Sequence, residues 1–241
     1  MNQFLIPSPT TPNPPDVHLE GDEAKHAIKV LRLREGNGCL VTDGKGFQAQ
    51  CTVSEVYQSA LTLRVDQVLD IQPLSPEITI SLGLLKKRDR IEWALEKCTE
   101  LGAAGLWMVQ MDHSERSVFK VDRAQSVVES ALKQSKGAFM PDIQGFDSLD
   151  EVLQPELLSS FDRVVLADET TSIDNKIIDH PSKILVIIGP EGGFSARERE
   201  LLTSLSQSEI AHIQHLSLGP NRLRAETAAI SALLHLQLVP R

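Results

Sequence analysis

The chain predicts an α/β protein with a small, mostly β domain at its N-terminus, and three observations carry that expectation. Residues 47–56 and 61–68 alternate apolar and polar positions with the period of two expected of half-buried strands, so residues 1 to about 70 read as mostly β. From residue 78 onward, short apolar runs alternate with stretches of helical spacing, the pattern of a parallel sheet wrapped by helices. Near the C-terminus two apolar runs each stop at a Gly-Pro, Gly189-Pro190 and Gly219-Pro220, and a helical pattern follows each.

In the first domain, Phe4-Leu5-Ile6 reads as an edge strand, followed by a flexible segment with prolines at 7, 9, 12, 14 and 15. Residues 22–33 read as a helix, with Ala27, Ile28, Val30 and Leu31 apolar among charges. Cys39-Leu-Val-Thr, then Asp43-Gly44-Lys45-Gly46, then alternation over 47–56 is a hairpin signal, and 61–68 alternates again. Gln72-Pro-Leu-Ser-Pro76 is the expected linker, dividing the chain into domains 1–71 and 77–241.

The second domain opens with a strand at 78–85 and the densest basic run of the chain, Lys86-Lys-Arg-Asp-Arg90. A helix follows, apolar at Ile91, Ala94, Leu95, Cys98 and Leu101 and stopped by Gly102. Strands are expected at 106–109, around Ile143 and at 163–167, with helices at 122 to about 136 and at 149–158. The unbroken run 184–188 fits a strand buried on both faces. Beyond Gly192-Gly193, Ser195 with Glu198 three residues on is a capping box, and Leu201, Leu202 and Leu205 continue the helix. A strand over 213–218 and an apolar helix over 225–238 complete the chain.

Composition narrows the function. Hydrophobic residues make up 41%, enough for a real core, and no run approaches the roughly 20 apolar residues of a membrane span. No basic-then-apolar leader opens the chain. Three cysteines without metal-type spacing read as buried thiols in a reducing cytoplasm, and the scattered histidines predict no metal site. The net charge of −9 excludes RNA affinity built on overall charge and leaves a local basic patch with shape recognition.

The first Gly-Pro loop, Gly189-Pro-Glu-Gly-Gly193, carries no Gly-Lys-Ser/Thr and no Gly-x-Gly-x-x-Gly, so it is neither a P-loop nor a dinucleotide fingerprint. Alone it reads equally as an ordinary turn or as a ligand loop at the carboxyl end of a parallel strand. The second, Gly219-Pro-Asn-Arg-Leu-Arg224-Ala-Glu226-Thr227, follows another strand, and two such loops would line one cleft. The pair Ile-Gly-Pro-Glu-Gly-Gly-Phe and Leu-Gly-Pro-x-x-Leu-Arg-x-Glu-Thr-Ala resembles the RsmE family of SPOUT methyltransferases. The resemblance extends to His26-Ala-Ile-Lys-Val-Leu-Arg32, Glu96-Lys-Cys-Thr-Glu-Leu-Gly102 and Ser114-Glu-Arg116-Ser117.

That resemblance implies a PUA-like RNA-binding β-barrel over 1–71 and a SPOUT parallel sheet with a trefoil knot over 77–241. It implies S-adenosylmethionine as cofactor, uridine N3 of 16S ribosomal RNA in the small subunit as substrate, and a homodimer. Cofactor contacts would come from Leu166, Ala167 and Glu169 in one loop and from Ile188, Gly189, Pro190, Glu191, Gly192 and Gly193 in the next. Leu218, Gly219, Leu223 and Thr227 would supply the third. Attack by N3 leaves negative charge on the base, and a positioned cation stabilises it, which selects Arg224 with Glu226 beside it. RNA contacts would fall to His26, Arg32, Lys86, Arg88 and Arg116. The chain departs from the family at Lys136-Gly137, where Gly-Arg is usual, and at Asn221-Arg222-Leu-Arg, where Arg-Ile-Leu-Arg is usual. Another RNA substrate, or an RNA-binding relative without catalysis, remains open on these residues.

Overall fold

The computed structural model describes residues 1–115, 118–167, 181–206 and 213–238. The chain divides into two compact units. One comprises Met1–Pro73 with Glu129–Met140, the other Leu74–Val128 with Pro141–Arg241.

The first unit is built on a five-stranded mixed sheet. Its strands are β1 (Gln3–Leu5), β2 (Asp16–Leu19), β3 (Gly38–Thr42), β4 (Gln48–Val56) and β5 (Leu61–Val68), in spatial order β1-β3-β4-β5-β2. The expected edge strand is β1, parallel to β3, and the Asp-Gly hairpin joins β3 to β4 in antiparallel register. β2 was not legible, because its four residues follow a proline-rich stretch and pair with β5, distant in sequence. The expected helix is a five-residue α1 (Gly21–Lys25) running into a π-turn over His26–Val30. Phe4, Leu19, Ala27, Val41, Val53 and Leu63 are among the residues that close the core.

The segment after residue 128 completes this unit, which residue spacing could not reveal. Gln3 Nε2 donates to Gly137 O at 2.8 Å, and Gln48 Nε2 donates to Lys136 O at 2.9 Å. Lys136, where the family carries glycine, sits in the left-handed region at φ +58°. A Cβ at Gly137 would lie 2.6 Å from Leu132 Cδ1, the end of a side chain that would have to shift.

The second unit is a six-stranded parallel sheet. It contains β6 (Glu77–Gly83), β7 (Gly105–Val109), β8 (Asp142–Phe146), β9 (Arg163–Ala167), β10 (Lys183–Ile188) and β11 (Ile213–Leu216), ordered β11-β9-β10-β6-β7-β8. Its helices are α2 (Arg88–Glu100), α3 (Val121–Ser135, shared between the units), α4 (Leu149–Val152), α5 (Pro155–Leu158), α6 (Ala196–Ser206) and α7 (Ala225–Leu238). The single helix expected over 149–158 is broken in two, because Pro155 cannot donate into a preceding turn and instead starts the next one. Every residue of β10 after Lys183 is buried, and period-two alternation sends Leu185 and Ile187 into a cluster with Leu166, Leu202 and Phe194. Ile184, Val186 and Ile188 face the opposite side, where α7 packs on β6 and β10 and against α2. Gly102 ends α2 at φ +76°, with Ala103 N–H donating to Cys98 O at 2.9 Å.

Cys39, Cys51 and Cys98 are free and buried, and burial pushes their thiols up to about 11, 12 and 12. No helix among the described residues is long and apolar enough to cross a membrane, and no cluster of potential metal ligands occurs among them. The threading of a trefoil knot would involve 168–180 and 207–212, which lie outside the described residues.

Candidate active site

The carboxyl ends of β9, β10 and β11 open into one cleft of about 390 Å³, within the roughly 300–1,000 Å³ of small-molecule sites. Ala167 ends β9 at its wall. Ile188, Gly189, Pro190, Glu191, Gly193 and Phe194 contribute from the first Gly-Pro loop, and Arg199 from α6. Leu216, Leu218, Gly219, Arg222, Leu223 and Arg224 contribute from the second, with Ala225 and Ala228 of α7. Parallel pairing explains the convergence: β10 and β11 both pair with β9 in the same direction, so their exits emerge at one end.

The glycines do different work. Gly193 and Gly219 have φ +68° and +119°, a region a side chain rarely enters. A Cβ at Gly219 would meet nothing within 4 Å, and one at Gly193 only Arg199 Nη2 at 3.9 Å, so both present bare backbone to open space. Gly189 instead lets the loop fold on itself, since its Cβ would lie 3.2 Å from the Gly193 backbone. Gly192 makes room for His113, 2.8 Å from where its Cβ would be.

The capping box forms, and a tertiary contact enlarges it. Ser195 Oγ accepts from Glu198 N–H at 3.1 Å, and Glu198 Oε2 accepts from Ser195 N–H at 2.8 Å. The second oxygen of Glu198, a fully buried residue, accepts from Asp112 N–H at 3.0 Å. Asp112 in turn receives Ser195 Oγ at 2.5 Å and Arg197 at 2.9 and 3.1 Å, while Arg197 also holds Asp150. Hydrogen bonds from Arg197 and then Ser195 hold the Asp112 carboxyl below the usual carboxylate range. His113 Nδ1 lies 3.1 Å from both Gly192 O and Gly193 O; two carbonyls can only accept, so that nitrogen carries the proton. The loop after β7 is thereby latched onto the glycine loop.

Of the residues the sequence singled out, Ala167, Ile188, Gly189, Pro190, Glu191, Gly193, Leu218, Gly219, Leu223 and Arg224 come together in the cleft. Leu166 lies beneath it in the core, Gly192 faces His113, and Thr227 is half-buried on α7 away from the lining. Glu169 and Arg116 fall outside the described residues. Arg224 is exposed at the start of α7, its backbone carbonyl accepting from Ala228 N–H at 2.8 Å. Glu226 is buried beside it, with Arg90 Nε 3.5 Å from Oε1 and no hydrogen-bond partner for Oε2 among the described residues.

Lys86 and Arg88 are exposed at the start of α2, and Lys86 Nζ pairs with Glu115 at 2.6 Å. In the first unit, His26 and Arg32 are exposed at the π-turn, and Arg32 takes the left-handed φ of +54°. Phe194, Arg199 and Arg90 were missed. Arg199 could have been found, because it lies one turn after the Ser195 cap and helix side chains lean back toward the N-terminus. Arg90 carried no such signal within a basic run.

Comparison with known proteins agrees with this geometry. A model described as "RNA methyltransferase domain" matches residues 72–237, and one described as "RNA methyltransferase PUA domain" matches 19–65. "Ribosomal RNA small subunit methyltransferase E" of Bacillus subtilis is 30% identical over 91% of this chain and 88% of its own length. The protein of the same description from Mycobacterium bovis is 31% identical over 89% and 83%. A crystal structure of ribosomal RNA small subunit methyltransferase E from Neisseria gonorrhoeae, bound to S-adenosyl methionine, superposes with a TM-score of 0.82. It covers 98% of this chain and 97% of that one at 22% identity, a likeness of fold. With its parallel sheet, its paired Gly-Pro loops and these matches over most of its length, the chain belongs to the RNA methyltransferase family, among the ribosomal RNA small subunit methyltransferases E.

Proposed function

We propose that this protein transfers a methyl group from S-adenosylmethionine to N3 of a uridine in 16S ribosomal RNA, acting in the cytoplasm. Residues 1–71 serve as a PUA-like RNA-binding domain, completed by 129–140, and the rest of 77–241 serves as the knotted SPOUT catalytic domain. The observation that carries this reading is the meeting of both Gly-Pro loops in one cleft with Arg224 at its edge.

The residues present suit the cofactor. Ile188, Leu218 and Leu223 offer apolar faces for an adenine, and Gly193 and Gly219 leave the backbone bare for close approach. When bound, S-adenosylmethionine supplies an electrophilic methyl on a sulfonium. Arg224 donates to the charge that develops on the uracil as its N3 proton passes to solvent at the open edge of the cleft. Glu226, two residues after Arg224, is the buried carboxylate of the pair. The test is transfer of labelled methyl to small subunits lacking the modification, followed by nucleoside analysis. 3-Methyluridine is the expected product; a different modified base would redirect the assignment, and cofactor binding without transfer to RNA would defeat it.

RNA contact through the first unit is supported by its backbone. A π-turn and a non-glycine residue at positive φ occur together at His26–Arg32, and such features gather at functional sites. Left-handed geometry costs a side-chain-bearing residue about 1–2 kcal/mol. Arg32→Gly is therefore expected to hold or raise the melting temperature while weakening RNA binding in a filter assay. A drop in melting temperature with RNA affinity intact would remove Arg32 from the interface.

The protein also acts as a homodimer through α2 and α7. These helices pack on each other and leave Trp93, Leu234 and Leu238 exposed at 43%, 37% and 75%. Light scattering at micromolar concentration should return twice the chain mass of 26.6 kDa. A mass equal to one chain would refute the dimer.

A further inference from the structure

We infer that Arg90 is a positioning residue that fastens the two loops of the cleft to each other. It stands in the first turn of α2 and is not itself among the residues that line the cleft. Its Nη1 lies 3.5 Å from Oε1 of Glu191, in the first Gly-Pro loop. Its Nε lies 3.5 Å from Oε1 of Glu226, in the first turn of α7 directly after the second loop.

The sheet by itself does not tie these loops together. The first loop leaves β10 and the second leaves β11, and β9 stands between those strands. A rigid link across that gap has to come from side chains. Arginine suits the task because its planar fork directs different nitrogens to two carboxylates at once, which a lysine ammonium on a flexible stem does poorly.

The surroundings favour a working clamp over an incidental surface pair. The Glu226 side chain is 7% exposed and that of Arg90 26%, so the contact is largely removed from water. A carboxylate that deep is costly without a cation, and Arg90 is the cation that meets it. Glu191 is held a second time by the same segment, because Lys86 N–H approaches its two oxygens at 3.3 and 3.4 Å. Residues 86–90 thus grip the first loop by backbone and side chain, and the first turn of α7, which follows the second loop, by side chain alone.

Two consequences follow, both resting on the cofactor reading of the cleft. Arg90 acts on cofactor affinity through Glu191, which lines the cleft, and on turnover through Glu226, two residues after Arg224 in the chain. Glu191 and Glu226 are therefore coupled to each other only while Arg90 is present.

The test is calorimetry with S-adenosylhomocysteine, together with methyl-transfer kinetics, on the wild type, R90Q, R90K, E191Q, E226Q and the paired variants. R90Q should weaken cofactor binding about tenfold, in the range of coupled neighbours, and lower kcat as well. R90K should recover one carboxylate and so only part of either loss. Added to R90Q, E191Q should cost little more affinity, because its partner is already gone. A merely structural role would lower stability without this overlap or the split between affinity and kcat. Should R90Q fail to fold, R90K decides, since Arg90 does not line the cleft and the lysine keeps the charge without the fork: part of the affinity and part of kcat should be lost, and wild-type values in R90K would overturn the clamp. Wild-type affinity in R90Q or in E191Q, or losses that multiply independently in the double variant, would overturn the clamp. A folded wild type that binds no S-adenosylhomocysteine would instead overturn the cofactor reading itself, and the clamp with it.

Discussion

Arg224→Ala is expected to lose turnover by roughly a hundred- to thousandfold while keeping most of its cofactor affinity. The range is that of removing one preorganised donor from developing charge, about 2.7–4 kcal/mol. The geometry separates the two effects. Arg224 lies at the exposed edge of the cleft, just before α7, whereas the apolar lining of Ile188, Leu218 and Leu223 stays intact without it. Its own carbonyl starts α7 through the backbone, so truncating the side chain leaves the helix start undisturbed. Arg224→Lys should restore little if the planar fork meets the base or a phosphate. Single-turnover methyl transfer beside calorimetry gives both quantities. Wild-type turnover in Arg224→Ala would remove it from the chemistry and turn attention to Arg222 and Glu226.

Glu198→Ala is expected to lower stability by about 3 kcal/mol and, by loosening the glycine loop, to weaken cofactor binding. Each hydrogen bond to a charged acceptor contributes about 1.5–3 kcal/mol, and Glu198 accepts one from Ser195 N–H and one from Asp112 N–H in a fully buried position. At about 2–4 °C per kcal/mol for a chain of this size, the melting temperature should fall by about 6–12 °C. Differential scanning calorimetry measures it; a change under about 2 °C would mean that the latch contributes nothing to the fold. The neighbouring Asp112 makes the latch acid-sensitive. Its carboxyl titrates below its ordinary 3.8 in the folded protein, so its contribution is complete above that value and fades as pH falls further, through the folded titration. Between neutral pH and about 5 this group should leave stability unchanged.

Local pattern made much of this protein legible. Period-two alternation marked β4 and β5, and the all-apolar run of β10 marked a strand covered on both faces. Gly102 and the Ser195–Glu198 pair marked where α2 ends and α6 begins, because those signals rest on backbone hydrogen bonds within a few residues. Signals of longer reach were harder to see. β2 depends on a partner over forty residues away, and Pro155 broke a helix that apolar spacing alone would have continued.

The sequence by itself determined the parallel α/β plan and the two Gly-Pro loops, because each follows from periodicity, breakers and caps inside one short segment; the residues expected to line a cleft between the loops came from their resemblance to the RsmE family. Only the tertiary structure decided which of those residues face the cleft and which serve other neighbours. Gly192 is glycine because His113 from a different strand's exit occupies the space of a Cβ. Glu198 caps its own helix in sequence and also pins the loop after β7, a contact set by the order of strands in the sheet. Arg90 looked like one charge in a basic run, and packing of α2 against α7 turned it toward Glu191 and Glu226. Such contacts join residues far apart in the chain, and a one-dimensional pattern carries no distance between them; the fold supplies that distance.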